Sequence, residues 1–182
     1  MNEYLGTDIN VSPISEYYES ESSTIHKVSC DFIYGDDNCN EERVAELIFY
    51  MIYPKDFADK ESIYYDLDAI DSDTEIYGSY IRDRIKKNYT CYVAIQRLYV
   101  NPKCRRNYIG KYIVSKLESI ITEINPLLSG DSIRIIGFIE PDKDEFCTDN
   151  MKEVMVHLLK DRHYKIKEHN GTTMIDRECR VY

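Results

Sequence analysis

The chain is 182 residues long, 43% hydrophobic and 31% charged, with a formal net charge of −10. That length supports one compact core and is short for two, and the apolar content excludes wholesale disorder. The acidic balance argues against a general nucleic-acid binder, which needs a basic footprint, and suits a cationic small molecule or a basic peptide as partner.

Residues 1–22 carry Ser, Glu and Tyr with no sustained period and are expected to form an exposed tail, leaving 23–182 as a single domain. Met1 to Ser23 lacks the basic start and apolar middle of a signal peptide. No apolar run approaches the roughly 20 residues of a membrane helix, so a cytoplasmic protein with no membrane partner is expected. His26, Val28, Cys30, Phe32 and Tyr34 alternate with mostly polar neighbours and predict a strand. Gly35-Asp36-Asp37-Asn38 reads as a turn, and Arg43 to Tyr53 as a second, antiparallel strand. Lys55 to Asp71 has no clear pattern. Ser72-Asp73-Thr74-Glu75 fits a capping box opening a helix with Ile76, Tyr80, Ile81 and Ile85 at helical spacing, although Gly78 weakens it.

Tyr89 to Val100 is a mostly apolar strand that Pro102 brings to an end. Ile109, Ile113, Leu117, Ile120, Ile121 and Ile124 then share one helix face, and Pro126 stops the helix. Ile133 to Ile139 is a short buried strand. Met151, Val154, Met155, Leu158 and Leu159 mark a further amphipathic helix, capped by Thr148 or Asp149. Asn170-Gly171 suits a type I′ turn inside a hairpin spanning Tyr164 to Tyr182. Alternating strands and helices in the middle, with hairpins at both ends, predict an α/β (α+β) fold. Its mixed central sheet should hold about six to seven strands, with helices on both faces.

Six cysteines, at positions 30, 39, 91, 104, 147 and 179, include no C-x-x-C pair, and the four histidines are not spaced as ligands with them. Reduced, mostly buried thiols are expected, with no metal site and no disulfide framework. The chemistry concentrates between Leu98 and Lys111. There a buried strand ends, a short loop turns, and a long amphipathic helix starts. The free amides of such a helix start carry partial positive charge and cradle an anion, and Arg105, Arg106 and Lys111 add cations around it.

This arrangement resembles motif A of the GNAT superfamily of N-acetyltransferases. That motif runs from a strand ending in Val-x-Pro into Arg/Gln-x-x-Gly-x-Gly/Ala and a helix. Val100-Asn101-Pro102, Arg105, Gly110 and Ile113 match it, while Tyr108 stands where the family has its first glycine. The segment from Asp66-Leu67-Asp68 to the helix at Ser72 is similar to one in some bacterial and phage members. Leu158 to Tyr164 resembles the family's C-terminal Tyr-x-x-x-Gly-Phe signature, with Leu159, His163 and Tyr164 in place of tyrosine, glycine and phenylalanine.

The resemblance implies a GNAT-like acyl-CoA acyltransferase fold and an enzyme that moves an acetyl group from acetyl-CoA to an amine by direct attack. The amine is carried by a small molecule or a protein. Tyr89 to Val100 and Ile133 to Ile139 would splay apart around the pantetheine arm. The implied cofactor contacts are Leu98, Tyr99 and Val100 on that arm, Arg105, Arg106, Asn107, Tyr108, Ile109, Gly110 and Lys111 around the pyrophosphate, and Asn150. Glu140 is the candidate base. With Leu159 at the usual tyrosine position, Tyr164 and His157 are the candidates for the proton donor. The acceptor pocket would draw on Lys55 to Asp71 and on the loop Pro141 to Cys147. A catalytically degenerate GNAT fold that binds acyl-CoA or a protein partner is the alternative, and Tyr108 and Leu159 motivate it. The C-terminal hairpin offers a homodimer surface.

Overall fold

The computed structural model describes residues 4–13, 25–35, 41–105, 107–139 and 151–181, leaving the side chains of 4–13 and of Met151 outside the description. The first half of the sheet is antiparallel. β1 (Tyr4–Pro13) pairs with β2 (Ile25–Gly35), β2 with β3 (Glu41–Ile52), and β3 with β4 (Cys91–Val100). β5 (Ser132–Phe138) then joins β4 in parallel. A hairpin of β6 (Lys165–His169) and β7 (Thr172–Arg180) closes the far side, with β7 next to β5, so the seven-stranded order is β1-β2-β3-β4-β5-β7-β6.

Strand periodicity sends alternate residues to two separate cores. Leu47, Phe49 and Met51 of β3, Cys91 and Val93 of β4 and Ile133 and Ile135 of β5 face one side. They pack under α3 (Ile109–Ile124) and α4 (Met151–Lys160) through Ile113, Leu117, Ile121 and Leu159. Tyr50, Ile52, Tyr92, Ala94, Ile136 and Met174 face the other side, under α1 (Lys60–Asp68) and α2 (Ser72–Arg84), where Ile63, Leu67, Tyr77, Tyr80 and Ile81 meet them. The predicted mixed sheet with helices on both faces is the observed one.

Three local readings change. Tyr4–Pro13, expected within a tail, is a strand paired along its whole length with β2. Leu5, Thr7, Ile9 and Val11 alternate with Gly6, Asp8, Asn10 and Ser12, a strand signal too short to stand out from the Ser, Glu and Tyr that follow. Within the unassigned stretch, Lys60–Asp68 is helical, and Asp59 caps it by accepting from the Ser62 amide. The capping box of α2 lies one residue earlier than the sequence suggested. Asp71 accepts from the Thr74 amide at 2.7 Å, and Thr74 Oγ1 accepts from the Asp71 amide at 3.0 Å. Thr74 wins the role because its fully buried hydroxyl also bonds the Leu67 carbonyl, tying the end of α1 to the start of α2. The hairpin turn is as expected, with Asn170 and Gly171 both at positive φ, 49° and 80°. The turn at 36–38, the loop 141–147 and the cap at Thr148 or Asp149 lie outside the described residues.

Of the cysteines, Cys30, Cys91 and Cys179 are buried and Cys104 is half-buried, all as free thiols. Burial pushes Cys30 and Cys91 up to about 12. Those thiols stay protonated and unreactive at neutral pH.

Candidate active site

The site starts from an interruption in the sheet. The β4–β5 ladder runs from Cys91/Ile133 to Ile95/Gly137 and stops there, while β4 continues to Val100. Gly137 marks the last rung. A Cβ at that position would stand 3.1 Å from Ile175 and 3.3 Å from Ile95. Glycine therefore lets Ile95 of β4 and Ile175 of β7 close in on β5 at the last rung of the β4–β5 ladder. Burial follows the same boundary. Cys91 to Ala94 are buried, and the rest of β4 is half-buried or exposed.

A β-bulge at the same point resets the faces of β4. Ile48 of β3 opposes Arg97 and Phe49 opposes Ile95, so Gln96 is the extra residue. Before the bulge, the odd-numbered residues Cys91, Val93 and Ile95 face α3 and α4. After it, Leu98 and Val100 do. Arg97 is turned to the opposite face with Tyr99, its guanidinium 5.1 Å from the Tyr99 ring centre. Of the three predicted contacts on this strand, Leu98 and Val100 thus line the α3/α4 side and Tyr99 the other.

The loop after β4 is braced by its own backbone. The Asn101 amide donates to Val44 O at 2.8 Å, and the Asn101 side chain caps a 3-10 turn over Pro102–Cys104. Arg105 Nε donates to Val100 O at 3.1 Å, so part of this guanidinium holds the strand end. Tyr108 then forms the N-cap of α3 with φ 61° and ψ 6°, in the left-handed region, and makes no side-chain capping bond. Tyr108 is 79% exposed. Among the described residues no N-cap side chain bonds the amides that open α3, unlike those of α1 and α2.

Gly110 lies in that first turn. A Cβ there would meet only Val100, at an ordinary 3.8 Å. Neither packing nor a positive φ calls for glycine at this position, and glycine weakens a helix relative to alanine. A glycine that the fold does not need, at an uncapped helix start, fits close approach by a phosphate group.

Leu98, Val100, Arg105, Asn107, Tyr108, Ile109, Gly110 and Lys111 thus come together as one strand–loop–helix unit. Arg106, Glu140 and Asn150 lie outside the described residues. The two candidate proton donors lie apart from each other. His157 is on the outer surface of α4, its side chain 82% exposed, 3.7 Å from Asp161. Tyr164 is buried in the α3/α4 core beneath Arg177, whose guanidinium is 5.4 Å from the ring centre. Burial raises its phenol to about 12, with Arg177 opposing. Leu159 is a core residue.

Sequence reasoning missed Tyr77. Its hydroxyl donates to Ile95 O, at the last rung before the strands part, at 2.5 Å, and its ring stacks on Phe138 at 5.6 Å. Tyr77 falls on the buried face of α2 beside Tyr80 and Ile81, so helical spacing could have placed it in the core. Its partner was hidden, because the bulge at Gln96 depends on the register of two strands.

No family model matches the sequence, and no curated protein matches it. Solved structures do resemble it. A mosquito arylalkylamine N-acetyltransferase like 5b aligns at a TM-score of 0.51 with 10% identity, over 96% of this chain and all 100% of that one. The KacTA–DNA complex aligns at 0.50 with 7% identity, over 96% and 93%. Arabidopsis thaliana NAA60 in complex with acetyl-CoA aligns at 0.45 with 13% identity, over 95% and 98%. A mixed seven-stranded sheet with the parallel pair β4–β5 at its centre and helices on both faces, aligned end to end with that mosquito structure, is the GNAT fold, and this chain has it.

Proposed function

We propose that the protein is an N-acetyltransferase that carries an acetyl group from acetyl-CoA to an amine. The observation that carries this reading is the shared position of three features. The β4–β5 ladder ends at Ile95/Gly137, β4 runs on into the uncapped start of α3, and Gly110 leaves that start open. The amides of Ile109, Gly110 and Lys111 are suited to hold the pyrophosphate, and the main chain of Leu98 and Val100 the pantetheine arm. When bound, acetyl-CoA supplies a thioester whose carbonyl carbon a neutral amine attacks directly. A main-chain amide beside that carbonyl would favour the developing oxyanion.

The amine must lose a proton, and Glu140, placed by sequence directly after Ile139, is the proposed acceptor. For the leaving thiolate, His157 has access to solvent, whereas Tyr164 is sealed in the core with a raised pKa that makes it a reluctant donor. The net charge of −10 favours a cationic amine over a nucleic acid, whose phosphates the acidic balance would repel.

Calorimetric titration of acetyl-CoA tests the reading. The wild type should bind, and Gly110→Glu, which sets a carboxylate at the helix start, should weaken binding by at least about tenfold with its circular dichroism unchanged. Absence of binding to the wild type at millimolar acetyl-CoA would overturn it. A second reading, a GNAT fold that binds acyl-CoA without turning it over, is favoured by Leu159, a core residue where the resemblance puts the acid. Release of free CoA across a panel of amines separates the two.

A further inference from the structure

Between Ile95 and Val100, β4 leaves one neighbour and keeps the other. Its pairing with β3 runs on to Ala45/Val100. β5 stays with β7 through Phe138/Met174 and through the Ile139 amide, which donates to Thr173 O at 2.9 Å. Between β4 and β5 themselves, no rung follows Ile95/Gly137 among the described residues. A ladder that ends at the margin of a core leaves main-chain groups that need other partners.

Tyr77 of α2 supplies one. Its hydroxyl donates to Ile95 O, on the last rung, at 2.5 Å, and its ring stacks on Phe138 of β5 with 25° between the planes. One side chain therefore touches both strands at the place where their pairing stops. Tyr77 is fully buried, and burial pushes its phenol well above the ordinary range, so the hydroxyl stays protonated and a donor at neutral pH. The helix that carries it is itself held. The Thr74 hydroxyl donates to Leu67 O of α1 at 2.6 Å, and Gly78, the residue after Tyr77, lies against the Tyr64 backbone.

We propose that Tyr77 is a positioning residue, which fixes the end of the β4–β5 ladder at Ile95 and so sets the course of the β4 main chain that would hold the pantetheine arm. The inference rests on the acetyl-CoA reading above. Ile95 O belongs to the peptide that opens the bulge at Gln96, and Leu98 and Val100 lie on the same strand beyond that bulge. Without the hydroxyl, the carbonyl turns toward another donor, and the main chain past the bulge turns with it.

Tyr77→Phe deletes one oxygen and keeps the ring, and Tyr80→Phe is its control. Tyr80 is equally buried on the same helix, but its hydroxyl bonds Asp176 of β7, at 2.7 Å. Both variants should lose stability in urea. In calorimetric titration Tyr77→Phe should bind acetyl-CoA roughly tenfold more weakly than the wild type, the effect of one buried carbonyl left without its partner, and Tyr80→Phe should bind it as tightly. Amide hydrogen exchange, followed without ligand, should speed up over residues 96–100 in Tyr77→Phe and stay at the wild-type rate there in Tyr80→Phe. Wild-type affinity in Tyr77→Phe would overturn the inference and leave the acetyl-CoA reading standing. So would equal weakening by the two variants, which would make both losses a matter of stability alone. Unchanged exchange over 96–100 in Tyr77→Phe would overturn the fixing of the ladder end whatever the titration gives. Failure of the wild type to bind acetyl-CoA would overturn the acetyl-CoA reading and this role of Tyr77 together.

Discussion

Tyr108 and His163 are the two positions where the GNAT resemblance expects glycine and finds a bulky side chain. Both have positive φ, 61° and 65°. Both therefore hold a backbone conformation that glycine adopts more readily than any side-chain-bearing residue. A left-handed tyrosine costs about 1–2 kcal/mol against an ordinary conformation, and the exposed ring offsets none of it by burial. Tyr108→Gly should relieve that strain and, after the added freedom of the unfolded chain, come out between neutral and about 1 kcal/mol stabilising. Tyr108→Val, β-branched, should destabilise by about 1 kcal/mol or more. Urea denaturation of the pair checks the order. Equal stabilities would mean that the backbone at 108 is not strained.

At the level of elements, Gly78 and Gly110 are helical glycines with opposite reasons. A Cβ at Gly78 would stand 3.0 Å from Tyr64 Cα and 3.2 Å from Tyr64 O. Those are backbone atoms of α1 and cannot swing aside, so Gly78→Ala should destabilise by about 1–3 kcal/mol despite its better helix propensity. Gly110→Ala gains only an ordinary 3.8 Å contact with Val100 and should stabilise by up to about 1 kcal/mol while weakening acetyl-CoA binding. Thermal melts with the calorimetry described above read both signs. The sequence revealed elements whose side chains carry the pattern: the alternation of β2, the apolar face of α3 and the Asn170-Gly171 turn. It hid those whose pattern is short or faint. β1 alternates only over Leu5 to Val11 beside a polar stretch, and α1 has only Ile63 and Leu67 buried. The motif around Gly110 was legible because it is contiguous. The change of faces at Gln96 and the Tyr77–Ile95 bond were not, because each joins segments distant in the chain.

Across the whole molecule, one buried carboxylate knits β5, β6, β7 and α2 together. Asp176 is fully buried and accepts from Arg134 Nη2 at 2.7 Å, from Lys167 Nζ at 2.5 Å and from the Tyr80 hydroxyl at 2.7 Å. Burial alone would raise its carboxyl, but the bonds from Arg134, Lys167 and Tyr80 outweigh it and hold the group below the usual range. Asp176→Asn leaves the two cations without their partner and should cost about 3 kcal/mol in denaturant at neutral pH. Because the folded value is depressed, this contribution is present above the unfolded value of about 3.9 and is lost as pH falls through the lower folded value. The wild type should therefore lose stability on acidification through that window, and the variant should lose less. An equal acid slope in the two proteins would assign the loss to other carboxylates. The sheet order also sets a sequence of events in folding. β1–β2–β3 at one end and β6–β7 at the other join neighbours in the chain, whereas β3–β4, β4–β5 and β5–β7 each span intervening helices. Short loops close at smaller entropic cost, so the outer hairpins form early and the central pairings late. The end of the β4–β5 ladder at Ile95/Gly137 is then among the last features to assemble, so whatever acts there waits on the central pairings.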